Sequence, residues 1–326
     1  MLDPTPETKN PQPNLAVGVD IGGTSIKLGV VNLEKGKIIR ETSFKTPNTT
    51  AIETAEILAR HVNVLIHQYP DITSIGIGVP GAVNPERTLV QYPPNFPKWE
   101  IEPFAQYVKD ALPISELVAM DNDAKAAALA EQKFGAAKNE NYFLLATLGT
   151  GVGGAIVADG KIFRGAFGGA GEFGHIMINY EGPESLSGIR GVLEAYLGQK
   201  YLSEHTLDKL RDGKIKSSLR TFLPSANLEP KDIYEAAQAG DKFALEVLSE
   251  AGMILGIGFA SVATLLDIRL FIVSGGVAQA GDLLLNPARE ALRKNVLAHQ
   301  RDSVEIRPAK LMTSAGIIGA ALLTSA

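Results

Sequence analysis

Val19-Asp20-Ile21-Gly22-Gly23-Thr24 closes an apolar run that begins at Leu15, and Ser25 to Val31 resumes an extended apolar pattern directly after it. An apolar run, an acid, paired glycines and a second apolar run read as strand, tight turn, strand. The same grammar returns at Ala146-Thr147-Leu148-Gly149-Thr150-Gly151. There a strand over Tyr142 to Thr147 gives way to a Gly-rich turn through Gly154 and a strand over Ala155 to Ala158. We read the echo as an internal repeat, with two related lobes that each open on a hairpin.

Working outward, Glu34-Lys35-Gly36-Lys37 is a turn and Ile38 to Phe44 a third strand. Between Thr50 and Tyr69, Ile52, Ala55, Leu58, Val62 and Leu65 recur at helical spacing. Ile72 to Val79 is an apolar strand closed by Pro80-Gly81, and Asn84 to Trp99, with its prolines, is loop-like. Val118 to Met120 is a short strand that runs into Asp121-Asn122-Asp123 and an alanine-rich helix to about Phe134. The Asx residues sit where an N-cap is expected, and Asp121 is assigned to that role. Glu229 to Leu266 reads as two or three helices, Leu270 to Ser274 as a buried strand ending at Gly275-Gly276, and Met312 to Leu323 as a last helix. Strands alternating with helices argue an α/β fold.

The bulk properties agree with two lobes. The chain has 326 residues and weighs 34.6 kDa, long for one core. A formal net charge of -5 gives no long-range attraction to nucleic acid or anionic membrane, so neither is expected as a partner. The chain has no cysteine, which excludes disulfides, thiolate metal sites and cysteine nucleophiles. Met1 to Asn14 is polar and Pro-rich, without the basic start and apolar run of a signal peptide, and reads as a flexible tail. The apolar stretch around Gly252 to Leu266 falls short of the roughly 20 residues that span a bilayer, so it is read as a buried helix. The expected location is the cytoplasm.

Several residues can carry chemistry. Backbone N–H groups at Gly22, Gly23 and Thr24, and at Gly149, Thr150 and Gly151, can approach phosphate oxygens closely; the bland alternative is a pair of ordinary hairpin turns. Neither turn has the Gly-Lys-Ser/Thr ending of a Walker loop, nor the Gly-x-Gly-x-x-Gly step from strand into helix. Asp20, at the end of a buried strand, can hold Mg²⁺ through water, or simply take hydrogen bonds from the turn. Asp123 at a helix start can accept a proton from a hydroxyl, or simply cap the helix. Carboxylates, an imidazole and Asn amides together suit a polyol, which makes Asn95, Asn122, Asp123, Glu172, His175 and Glu194 the candidate sugar set. Gly275-Gly276 can let an adenine ring lie against the backbone.

Taken in order, these segments resemble the ROK family of sugar kinases and repressors, and its glucokinases most. The resemblance runs from about Ala16 to Ala321. Val19 to Thr24 resembles the family's first phosphate segment, Gly149-Thr150-Gly151 with Gly153-Gly154 the second, and Ser274 to Val277 the adenosine segment. Asn122-Asp123 resembles the Asn-Asp pair whose Asp is the catalytic base. Glu172-Phe173-Gly174-His175 resembles the sugar-binding Glu-x-Gly-His. The resemblance implies a two-lobed actin-like ATPase (ribonuclease H-like) fold with nucleotide and sugar in the interlobe cleft. The small lobe would be residues 15–122 with 312–326, and the large lobe 123–311. It further implies ATP with Mg²⁺ as cofactors, a homodimer, and phosphoryl transfer to a hexose. Glucose leads, with N-acetylglucosamine, N-acetylmannosamine or fructose as alternatives, and a sugar-responsive regulator as the contrasting class.

One departure stands out. Many family members continue from the His into a zinc knuckle, Cys-x-Cys-Gly-x-x-Gly-Cys-Leu-Glu. Here the segment reads Ser185-Leu186-Ser187-Gly188-Ile189-Arg190-Gly191-Val192-Leu193-Glu194. Gly, Leu and Glu keep register while Ser185, Ser187 and Val192 replace the thiolates. His175 alone falls short of the about four ligands of a structural zinc, so no zinc is expected.

Overall fold

The computed structural model describes residues 14–112 and 117–325; apart from Asn14, the Pro-rich start lies outside the described residues. Along the chain come β1 (Leu15–Ile21), β2 (Ser25–Asn32), β3 (Lys37–Lys45), α1 (Ala51–Gln68) and β4 (Ile72–Val79). Next are β5 (Ala82–Val83), β6 (Val90–Gln91), β7 (Ile101–Glu102), α2 (Phe104–Ala111), β8 (Leu117–Asn122) and α3 (Asp123–Phe134). The second half holds β9 (Phe143–Leu148), β10 (Val152–Ala158), β11 (Lys161–Phe163), α4 (Glu194–Leu197), α5 (Gln199–Arg211), α6 (Pro230–Gln238) and α7 (Lys242–Leu266). It ends with β12 (Leu270–Ser274), α8 (Asp282–Asn295), β13 (Glu305–Pro308) and α9 (Ala315–Leu322). The chain divides into two compact units: the first ends at Ala130 and resumes at Ser314, and the second is Glu131–Thr313.

Each unit is built on one five-stranded sheet, and the two sheets share a topology. The first has the order β3-β2-β1-β4-β8 and the second β11-β10-β9-β12-β13. In both, the opening three strands form an antiparallel meander and the remaining two run parallel to the first. The repeat glimpsed in two hairpins therefore extends over the whole of both sheets, and the fold is the actin-like one. The Asn84 to Trp99 region, read as loop, contributes β6 to a small three-stranded sheet with β5 and β7.

Side-chain periodicity explains the layers. α1 begins with a capping box in which Thr50 and Glu53 satisfy each other's backbone N–H groups, and buries Ala55, Leu58, Val62 and Leu65 along one face. These pack into a core with Val17, Val19, Leu28, Ile75, Ile77 and Phe104. α9 belongs to the first unit and lies against β1 and β4. A β-carbon at Gly18 would strike the Ile317 carbonyl oxygen, and one at Gly76 the Ala320 carbonyl oxygen. On the helix side, Gly319 admits the Ala126 carbonyl of α3. In the second unit Phe173, Phe259 and Phe271 stack in series at 5.0 and 4.5 Å between ring centres.

α7 corrects one expectation. The apolar stretch extends back to Lys242, and the 25-residue helix is long and apolar enough, by length and composition, to cross a membrane. Its apolarity has a local cause: Phe243, Leu248, Leu255 and Phe259 are core side chains, and Gly252 and Gly256 lie against the Leu284 and Ala288 carbonyls of α8.

Candidate active site

In the first unit the chemistry-bearing residues gather at the carboxyl ends of the parallel strands. Asp20, Gly78 and Asp121 form one row across β1, β4 and β8. Asp20 faces the start of α9, where a β-carbon on Gly316 would lie 2.5 Å from its Oδ2. Burial pushes the Asp20 carboxyl above the ordinary carboxylate range, and Lys27, its partner across the β1–β2 ladder, opposes that rise. Gly78 has no side chain to fill the neighbouring space; a β-carbon there would reach within 3.5 Å of Asp123 Cα.

The first turn is held from within. The Gly22 N–H donates to the Ser25 carbonyl at 3.1 Å, and Thr46 donates its hydroxyl to the Gly22 carbonyl at 2.6 Å and its N–H to the Thr24 carbonyl at 3.0 Å. The Gly22 amide is thus committed inside the turn, which leaves Gly23 and Thr24 as its remaining amides. Asn95 lies on this turn, its Nδ2 3.0 Å from where a Gly23 β-carbon would be. Its φ of 68° is left-handed, a conformation Asn tolerates better than most residues.

The β8–α3 junction differs from the sequence expectation. Asn122, not Asp121, caps α3: its Oδ1 accepts the Lys125 N–H at 3.2 Å, and its Nδ2 donates to the Gly81 carbonyl at 3.1 Å. Asp121 is buried at the end of β8, with Oδ1 accepting the Asn122 N–H at 2.8 Å. A helix cap needs a side chain one residue before the first turn, and the strand runs two residues further than the sequence pattern implies. Asp123, half-buried, is the first residue of α3 and accepts the Ala124 N–H at 2.8 Å.

In the second unit, the Gly149 N–H donates to the Gly151 carbonyl at 2.9 Å, so here too the first amide of the turn is internal and Thr150 and Gly151 present the others. The segment Gly171–His175 lies on β10. A β-carbon on Gly154 would come within 2.6 Å of both the Gly171 carbonyl oxygen and Phe173 Cβ, and one on Gly174 would strike the Val152 carbonyl oxygen. That close seating and the buried Phe173 ring fix the short 3-10 turn Phe173–His175. His175 Nδ1 is buried without a hydrogen-bond partner, and Glu172 Oε2 is 3.7 Å away. Glu194 opens α4, and its Oε2 accepts the Val152 N–H at 3.0 Å. At the end of β12, Gly275 takes a φ of 99° beside the Leu148 backbone, where any β-carbon would collide with the Leu148 carbonyl oxygen. Gly276 is exposed next to it.

The segment that would carry the knuckle is tied by hydrogen bonds. Ser185 Oγ and Ser187 Oγ are 2.7 Å apart, the Ser185 N–H donates to the Ile189 carbonyl, and the Gly191 N–H donates to the Pro183 carbonyl. Among the described residues no group of three or more His, Cys, Asp or Glu side chains is placed to hold a metal ion. Two residues with a part in this framework carry no signal in the sequence. Thr46 pins the first turn from the end of β3. Glu131 is fully buried, and its carboxylate accepts the N–H groups of Ala136, Lys310 and Leu311 at 2.7, 3.1 and 2.7 Å. A Glu in an alanine-rich helix ordinarily marks the solvent face, so only the fold reveals it.

The sequence model of the ROK family matches residues 16–326. The chain belongs to the ROK family. Over 311 residues it is 34% identical to the glucokinase of Streptomyces coelicolor, an alignment that covers 94% of this chain and 96% of the relative. It is 32% identical over 312 residues to the glucokinase of Thermotoga maritima, covering 94% and 95%. Among solved structures, it is similar to a ROK family glucokinase from Streptomyces griseus in complex with glucose and AMPPNP, with a TM-score of 0.82 and 34% identity. That match covers 95% of this chain and 99% of the other.

Proposed function

We propose that this ROK protein is an ATP-dependent hexose kinase whose acceptor is glucose. One observation carries the reading: in the first unit the segment assigned to phosphate and the proposed base, and in the second the segments assigned to phosphate and sugar, lie beside the ends of the parallel strands. Open α/β sheets bind their ligands at those ends. The relatives named above are glucokinases along nearly their full length, which supports the same substrate class.

The chain's own groups suggest the division of labour. Asp123 takes the proton of the attacking hydroxyl. Asn122, already engaged through both ends of its amide, keeps that carboxylate at the head of α3. Glu172 and His175 hold hydroxyls, and the unpartnered Nδ1 is a buried polar atom that a ligand hydroxyl would satisfy. Gly23, Thr24, Thr150 and Gly151 offer backbone donors to the phosphates, with Gly275 and Gly276 against adenosine. Mg²⁺ fits Asp20, because this ion uses one or two carboxylates, water and substrate phosphates rather than a protein cage. Bound there, it would neutralise charge on the transferred phosphoryl group. Use of ATP is in keeping with a cytoplasmic enzyme, and the family resemblance implies a homodimer, which light scattering reads directly. The test is ADP release over a panel of glucose, mannose, fructose, N-acetylglucosamine and N-acetylmannosamine. Glucose is expected to give the highest kcat/KM; no sugar-dependent ADP release would refute the kinase reading, and a preferred N-acetylhexosamine would refute glucose.

A further inference from the structure

Glu194 belongs to the proposed sugar set, yet its side chain hydrogen-bonds to the backbone elsewhere. Oε2 accepts the N–H of Val152, the residue that follows Gly151 and restarts the strand after the phosphate turn. Gly151 itself is shaped by this carboxylate, since a β-carbon at that position would collide with Glu194 Oε2. The other side of the turn rests on the same corner of structure. The Gly149 carbonyl accepts the N–H of Gln199, the first residue of α5, at 2.9 Å, and a β-carbon on Gly198 would be 3.1 Å from the Thr150 carbonyl oxygen. The carbonyl side of the turn is therefore seated on backbone, while its amide side is seated on one ionisable side chain.

We propose that Glu194 is a positioning residue for the nucleotide as well as a ligand of the sugar, so that one carboxylate couples the two sites inside the second unit. This rests on the proposed function. A charge-assisted bond from a backbone N–H to a carboxylate is among the stronger hydrogen bonds available. It fixes the direction of the amides at Thr150 and Gly151 before phosphate arrives, and a donor array fixed in advance spends less of its binding energy on ordering. A sugar hydroxyl that takes Oε1 fixes the rotamer of Glu194 and so holds Oε2 on Val152. Sugar then tightens nucleotide binding, and by reciprocity nucleotide tightens sugar binding by the same factor.

The experiment is calorimetric binding of a non-hydrolysable ATP analogue with Mg²⁺ in the absence of any sugar, where a residue that only touches sugar has no effect. Glu194→Ala removes the acceptor and is expected to weaken analogue binding roughly tenfold. Glu194→Gln keeps a carbonyl oxygen for the Val152 N–H and is expected to bind the analogue within about threefold of the parent protein, while its glucose affinity falls below the parent's. Gly151→Ala, a change in the phosphate turn, is expected to weaken glucose binding measured without nucleotide, because the new methyl displaces the carboxylate. If Glu194→Ala binds the analogue as tightly as the parent, or Glu194→Gln binds it as weakly as Glu194→Ala, the coupling is overturned. If Glu194→Ala does not fold, the Gly151→Ala measurement decides alone, and unchanged glucose affinity there overturns the idea. A parent protein that fails to bind the analogue at all refutes the kinase reading instead, a separate result.

Discussion

Replacing Asp123 by Asn separates chemistry from structure at the proposed base. In the fold, Asp123 accepts the Ala124 N–H through Oδ1 at 2.8 Å, a bond that the carbonyl oxygen of Asn can also accept. The helix loses a negative charge in its first turn, which costs about 0.3–1 kcal/mol. The Asn122 cap and its bond to the Gly81 carbonyl are untouched. The expected loss of stability is therefore about 1 kcal/mol or less, readable as a small shift of the urea midpoint. Against this stands the catalytic term. A general base contributes roughly 10²–10⁴-fold, or about 2.7–5.5 kcal/mol of barrier. Coupled ADP-release kinetics should show kcat falling by about that factor with glucose KM little changed, the pattern of an interaction made in the transition state. Calorimetry should find glucose still bound.

The control is Asp121→Asn. Asp121 is buried in β8 and holds the Asn122 N–H, which an Asn side chain can still accept. Its loss should appear as about 1 kcal/mol of stability, with the folded fraction turning over near the parental rate. An Asp123→Asn enzyme that keeps kcat within a few fold, or an Asp121→Asn enzyme that is the inactive one, would refute the assignment of the base.

Other expectations follow from the same geometry. Asp20→Asn should cut turnover at saturating Mg-ATP by more than about 100-fold while glucose affinity, measured without nucleotide, stays parental. Gly76→Ala places a methyl against the Ala320 carbonyl, a backbone atom that cannot rotate aside, so urea denaturation should show a loss of about 3 kcal/mol or more. Asp241 caps α7 by accepting the Phe243 and Ala244 N–H groups and also holds Ser217 and Ser218; burial raises its pKa, but the hydrogen bonds outweigh that and leave it below the ordinary value of 3.8. With the folded pKa depressed, its contribution is fully present above pH 3.8 and is lost as pH falls further through the folded pKa. Asp241→Ala should then cost about 1–2 kcal/mol at pH 7, and the gap from the parent should narrow in more acidic melts. Dialysis against chelator followed by Mg²⁺ alone should restore full activity, and elemental analysis showing about one zinc per chain would contradict the reading of the Ser185–Ser187 segment.

How much of this was legible in the sequence depends on whether a signal is local. The strand-turn-strand echo is local: Gly22-Gly23 and Gly149-Thr150-Gly151 mark both hairpins, and the topology that follows them is duplicated throughout. Asp20, Asp123, Glu172 and His175 are recognisable because each sits beside a glycine or at a strand end. The cap went to the wrong neighbour because Asp121, Asn122 and Asp123 are all good capping residues, and only the length of β8 decides among them. Glu131 and Thr46 were invisible because their partners lie far along the chain, at Lys310–Leu311 and at Gly22–Thr24. The role of the glycines at 18, 76 and 319 is likewise a property of packing between elements, which periodicity does not encode.

The two units repeat a topology but not a charge. In the first sheet the row at the carboxyl ends is Asp20, Gly78 and Asp121, with Lys27 across the antiparallel ladder. In the second sheet Thr147 stands at the position of Asp20, Ser274 at that of Gly78 and Gly153 at that of Lys27, all neutral. Two buried carboxylates in one row are costly, and at the position of Asp20 the second unit carries the neutral Thr147. The first unit keeps Asp20 at the proposed Mg²⁺ position and Asp121 as the acceptor that holds the Asn122 N–H ahead of α3, and leaves Gly78 between so that no side chain intervenes. The second unit, neutral along its strand ends, draws its acids from outside the sheet: Glu172 from the segment seated on β10 and Glu194 from α4. An acid fixed in a strand, as Asp20 is, suits a metal, which demands a rigid charge. An acid on a helix start or a short turn can adjust to a hydroxyl, and in the case of Glu194 can pass that adjustment to the backbone of the phosphate turn. The two units offer equal platforms, and on the proposed reading the placement of carboxylates, in the sheet or above it, divides the work between them.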